Sequence, residues 1–124
     1  MSNLREKTLL VVDDEAMLRE ILVEVLADAG AQVDEAESAT VALAKVRAKH
    51  YDAVISDIRM PGVNGVELMT RINQEITPRP KLFLCSGFND VSAEVDSDLG
   101  IVRIFSKPFS VEEIVEALRD ALTN

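Results

Sequence analysis

Apolar residues along this chain follow two rhythms that take turns. Thr8 to Val12 is a compact β-branched and leucine run bounded by charge, the pattern of a strand buried on both faces. From Leu18 the apolar positions then recur at helical spacing through Ile21, Leu22, Val25, Leu26 and Ala29, and Gly30 stands where a helix end is commonly closed by a positive φ. The same pair of elements repeats. A weaker strand around Ala31–Ala36 precedes a helix from about Ser38 to Lys49, with Ala39, Leu43 and Val46 as its stripe. Tyr51–Ser56 reads as the third strand. After the Pro61-Gly62 turn, Asn64 and Glu67 form a capping pair for a helix that buries Leu68, Met69, Ile72 and Ile76 and ends at Pro78 and Pro80. Lys81–Cys85 is the fourth strand. The segment Asn89–Leu99 has few apolar anchors, so its helix is expected to be short and loosely held. Ile101–Phe105 follows as the fifth strand, and Ser110 with Glu113 makes a capping box before a last helix carrying Val111, Ile114, Val115, Leu118 and Leu122.

Five strands alternating with five helices predict a parallel sheet covered on both faces, because parallel neighbours need a crossover and a helix supplies it. The expected architecture is a three-layer α/β sandwich. Ligands of such sheets bind beyond the carboxyl ends of the strands. The residues just past those ends are Asp13 and Asp14 after the first strand, Asp57 after the third, Ser86 after the fourth and Lys107 after the fifth. Three carboxylates, a hydroxyl and an ammonium group, far apart in sequence, are thus brought to one edge.

Composition narrows what such an edge can do. At 124 residues and 48% hydrophobic the chain suits one domain with its own core, spanning 1–124 with an ordered part of about 7–122. A net charge of −9 argues against a nucleic-acid surface and suits carboxylates gathered around a cation. The single Cys85 permits no internal disulfide, and neither a signal peptide nor a membrane-spanning run is evident, so the cytosol is the expected compartment. Three adjacent carboxylates repel unless a cation neutralises them. Magnesium suits oxygen donors and keeps open positions for phosphate oxygens, whereas zinc would want His or Cys, which are absent from this set of strand-end residues. Asp57 then becomes a candidate nucleophile forming an acyl phosphate, with Lys107 neutralising charge and Ser86 donating to a phosphate oxygen.

These residues resemble the receiver domains of two-component response regulators, especially the single-domain, chemotaxis-type members. The resemblance rests on Val11-Val12-Asp13-Asp14-Glu15, on Asp57-Ile58-Arg59-Met60-Pro61-Gly62 with Gly65 following, on Ser86-Gly87, and on Lys107-Pro108-Phe109. It implies a flavodoxin-like fold of strand order 2-1-3-4-5, with Asp57 as phosphoacceptor. Asp14 and Asp57 would bind Mg2+ directly, Asp13 through water, and Arg59 through its backbone carbonyl. Lys107 would pair with the phosphoryl group, Ser86 would be the switch hydroxyl, and the Lys107–Pro108 bond is open to a cis form. The implied partners are a histidine kinase or phosphotransfer protein and a downstream protein bound through the fourth helix, fifth strand and fifth helix. No nucleic acid or membrane contact is implied, and the only catalysis is of the domain's own phosphorylation and dephosphorylation. No output domain is expected after Asn124, which leaves either a stand-alone protein or a receiver cut from a longer one.

Three positions, one a departure and two at variable places, modify the pattern. Many members carry an aromatic three residues before the lysine, and here that place holds Ile104; Phe105 is adjacent but alternates to the opposite face. Arg59 and Phe88 fill the variable positions flanking the site, and the bulk of Phe88 is expected to slow attack by water on the phosphoryl group. Other readings are weaker. A small-molecule aspartate-nucleophile phosphatase or phosphotransferase lacks a second carboxylate at position 59 and a capping insertion. A flavodoxin-like cofactor binder lacks a phosphate loop, and a degenerate docking module does not need the intact set of five site residues. His50 is expected to stabilise a helix C-terminus, Cys85 to be buried, Met17, Met60 and Met69 to pack or turn, and the acidic run Asp90–Asp98 to be a solvated face.

Overall fold

The structure, a computed structural model, describes residues 4–60, 62–86, 100–106 and 110–122. Five parallel strands, β1 (Thr8–Val12), β2 (Gln32–Ala36), β3 (Ala53–Asp57), β4 (Lys81–Ser86) and β5 (Ile101–Ser106), form one sheet in the order β2-β1-β3-β4-β5. Four helices among the described residues connect and cover them: α1 (Ala16–Asp28), α2 (Ala39–Ala48), α3 (Gly65–Glu75) and α4 (Val111–Leu122). The short helix expected within Asn89–Leu99 lies outside the described residues.

Strand alternation divides the core in two. Leu9, Val11, Ile55, Phe83, Cys85 and Phe105 face α1 and α4, which contribute Leu22, Leu26, Ile114 and Leu118. Leu10, Val12, Val54, Leu82 and Leu84 face α2 and α3, which contribute Leu43, Val46, Leu68, Met69 and Ile72. Each strand therefore needs apolar residues at successive positions, which is why the strands read as continuous runs. The weak second strand sits at the edge of the sheet, where less of it is covered. The two caps expected from the sequence form, Asn64 Oδ1 accepting from Glu67 N at 2.9 Å and Ser110 Oγ from Glu113 N at 3.1 Å, and Ser38, at the expected start of α2, also caps it, its Oγ accepting from Val41 N at 3.2 Å.

Two expectations for α1 need correction. Met17 is 76% exposed and Ile21 46%, whereas the helical spacing places Ile21 in the buried stripe and Met17 is expected to pack or turn. At ~100° per residue Ile21 lies roughly 120° from the centre of the Leu22–Leu26 axis, beyond the reach of the sheet. Met60 and Met69 are buried as expected.

Tyr51, just before β3, is buried and donates its hydroxyl to Asp34 Oδ2 at 2.7 Å, while Lys49 Nζ lies 3.0 Å from the same oxygen. Burial and the bond to Asp34 hold the phenol protonated well above its ordinary range. The Tyr51 bond, aided by Lys49 and opposed by burial, holds the Asp34 carboxyl below its usual 3.8. Stability from a depressed carboxyl is present above the unfolded value and is lost as pH falls through the folded one. Tyr51→Phe should therefore cost about 1 kcal/mol at pH 7, after discounting for the half-exposed Asp34, and less at an acid pH below the folded value of Asp34. Urea midpoints at the two pH values test this; an equal deficit at both would reduce Tyr51 to packing.

Candidate functional site

The carboxyl ends of β1, β3 and β4 carry the residues singled out by sequence. β1 and β3 pair so that Val12 is opposite Ser56, and one residue further along both strands stand Asp13 and Asp57. Asp57 closes β3 opposite Cys85, and Ser86 follows one residue on, opposite Ser106 of β5. Register alone thus gathers the acidic corner, the candidate nucleophile and the hydroxyl. Asp13, Asp57 and Ser86 are buried, with Asp57 only 5% exposed, whereas Asp14 projects into solvent. Carboxylates are seldom buried without a task that offsets their desolvation.

Asp13, Asp14 and Asp57 each present an oxygen within 4.8 Å of the other two. Opposite ligands of magnesium bound at ~2.1 Å are separated by roughly 4.2 Å, so the trio matches one small ion with a water completing the reach. The donor set is carboxylate oxygen alone, which fits a hard cation and not zinc or copper. Arg59, two residues past Asp57, is exposed on the same corner.

Backbone contacts hold the corner in place. Asp13 N donates to Ala36 O at 3.1 Å, tying the corner to the end of β2, and Asp13 Oδ1 accepts from Glu15 N at 2.9 Å. Ile58 N donates to Cys85 O at 3.0 Å, and Ser56 Oγ donates to Asp57 O at 2.9 Å. The loop after Asp57 then folds back onto α3, where Gly65 N donates to Ile58 O at 2.8 Å. A Cβ at position 65 would stand 2.2 Å from the carbonyl oxygen of Asp57, so this approach requires glycine.

Gly87, Phe88, Lys107 and Pro108 lie outside the described residues. Ile104 packs against the α2–α3 side of the core, while Phe105 is buried on the other side, its ring 6.1 Å from that of Phe83. Phe105 therefore does not take the place of the missing aromatic. His50 lies at the opposite end of β3, exposed, its Nε2 3.7 Å from Asp52 Oδ1. Cys85 is buried. Sequence spacing does not reveal Arg19 and Glu35, which brace the acidic corner from α1 and β2; the signal is a lone arginine one turn beyond Glu15 in a helix whose other charged residues are all acidic.

No helix among the described residues is long and apolar enough to cross a membrane. Residues 9–119 match the family model of the response regulator receiver domain. The chain is 32% identical to the chemotaxis protein CheY of Thermotoga maritima over 114 residues, covering 90% of this chain and 94% of that one. It is 33% identical to the transcriptional regulatory protein FixJ of Bradyrhizobium diazoefficiens over 113 residues, covering 90% of this chain. It spans 55% of FixJ and 24% of the regulator NtrC of Salmonella typhimurium, so it corresponds to only part of several curated relatives. Among solved structures it is similar to the response regulator TrrA of Thermotoga maritima in complex with Mg(2+)-BeF, with a TM-score of 0.84 and 34% identity over 94% of this chain and 99% of that one. A response regulator receiver protein from Pseudomonas putida gives 0.85 and 29% over 93% and 97%. The sheet order, the clustered carboxylates and these likenesses agree that the chain belongs to the response regulator receiver domain family.

Proposed function

We propose that this receiver accepts a phosphoryl group on Asp57 from a phosphohistidine of a kinase or phosphotransfer protein and uses the modification to change its protein contacts. An Asp57 carboxylate oxygen bonds to phosphorus as the phosphorus–nitrogen bond breaks, its electron pair leaving with the imidazole, and an acyl phosphate results. The supporting observation is the buried Asp57 with a carboxylate oxygen within 4.8 Å of those of two further carboxylates from the corner after β1. Asp14, Asp57 and the Arg59 carbonyl, with Asp13 through water, would hold magnesium, which supplies neutralising charge on the transferring group. Ser86 would donate its hydroxyl to a phosphoryl oxygen, and Lys107 would pair with another. On this reading the catalysis is confined to phosphorylation and hydrolysis at Asp57 itself. The readout face includes β5, the far edge strand, where Val102 is exposed; with Ile104 in place of an aromatic, coupling to that face runs through aliphatic packing.

Incubation with magnesium and acetyl phosphate followed by intact mass tests the proposal. Wild type should gain one phosphoryl group; Asp57→Asn, or wild type with chelator, should gain none. An unlabelled wild type would leave a docking module, and steady turnover of a metabolite phosphate would make it an enzyme.

A further inference from the structure

The peptide between Asp13 and Asp14 is held from outside the site. Arg19, on the first turn of α1, donates from one terminal guanidinium nitrogen to the carbonyl oxygen of Asp13 at 2.6 Å and from Nε to Glu35 Oε1 at 2.7 Å. Glu35 is fixed in turn, since Lys45 of α2 donates to its backbone carbonyl at 2.6 Å. One guanidinium thus links α1, β2 and the corner after β1, and the planar fork of arginine suits two acceptors at once. The Asp13 carbonyl belongs to the peptide plane from which both acidic side chains depart. Fixing that plane sets the directions of the Asp13 and Asp14 carboxylates against their mutual repulsion with Asp57.

We propose that Arg19 is a positioning residue for the metal site, holding the acidic corner in its ion-binding shape before the ion arrives. The inference rests on the magnesium reading above. An ion pair whose carboxylate is 47% exposed adds little to stability, so global stability does not account for the arrangement. Preorganisation does, because partners that orient metal ligands govern affinity without touching the ion. Charge gives the opposite sign: a cation beside the trio disfavours magnesium, so its removal would by Coulomb effect alone tighten binding.

Magnesium titrations of the protein without phosphodonor, by calorimetry or amide NMR, separate the two. Arg19→Met keeps the aliphatic stem and should weaken magnesium about tenfold. Arg19→Lys keeps the charge but loses the fork and should weaken it about threefold, on the same grounds. With acetyl phosphate, the magnesium concentration for half-maximal labelling should rise while the rate at saturating magnesium stays near that of wild type. Equal or tighter binding by a folded Arg19→Met overturns the proposal, as does a lower saturating rate with unchanged affinity. Should Arg19→Met fail to fold, Arg19→Lys decides, and wild-type affinity in that variant overturns it. Failure of wild type to bind magnesium would remove the metal reading itself; wild-type binding with indifferent variants removes Arg19 alone.

Discussion

Gly65→Ala should lower the melting temperature by about 10 °C and cut phosphoryl labelling of Asp57 at least about tenfold. In an isolated helix the change would help, since alanine is favoured over glycine by about 1 kcal/mol. Here the new methyl would stand 2.2 Å from the Asp57 carbonyl oxygen, 2.9 Å from Ile58 Cα and 3.0 Å from the Asp57 carbonyl carbon. All three are backbone atoms at a strand end that is buried and hydrogen-bonded, so no flexible side chain can yield. Relief requires α3 to move away, breaking the Gly65 N to Ile58 O bond, or Asp57 to leave its register with Cys85. Overpacking of this kind costs roughly 1–3 kcal/mol, and the lost bond adds about 1 more. Gly62→Ala is the control. Gly62 has φ +80° with nothing within 4 Å of an added Cβ, so that variant should pay only about 1 kcal/mol of backbone strain and still be labelled. If Gly65→Ala melts and labels like wild type, the loop after Asp57 is not locked onto α3.

Asp13→Asn should make the metal-free protein more stable while weakening magnesium binding. The substitution is nearly isosteric and retains the Oδ1 that accepts from Glu15 N, so the corner keeps its local bond. It removes one of three negative charges lying within 4.8 Å of one another. At an effective dielectric constant of about 20 and after screening, the relief amounts to roughly 1–3 kcal/mol. Added magnesium should reverse the order, because an ion a hundredfold above its Kd stabilises wild type by about 2.7 kcal/mol and the variant by much less. Melting curves in chelator and in a magnesium series should therefore cross. A variant less stable than wild type in chelator would mean that the carboxylates are not in repulsive contact.

Much of this was legible in one dimension for a definite reason. A parallel strand covered on both faces must be apolar at successive positions, and Leu9–Val12 and Val54–Ile55 satisfy that by composition alone. Asn64, Ser38 and Ser110 cap helices through the first turn that follows them, an interaction contained in a few residues. The stripe of α1 was read less well, because periodicity gives the face of a helix but not how far the sheet extends beneath it. Met17 and Ile21 lie past that limit and face solvent.

By itself, the sequence determined the alternation of elements, the layered fold and the identity of the three carboxylates, since each depends on local spacing or on residues at strand ends. Tertiary structure decided the rest. Only the register of β1, β3 and β4 shows how Asp13 and Asp57 come level and that Asp57 is buried. Only packing shows that Gly65 must lack a side chain, because the obstacle is a carbonyl eight residues earlier in the chain. The hold of Arg19 on Asp13 and Glu35 joins three elements, and no spacing rule along one element contains it.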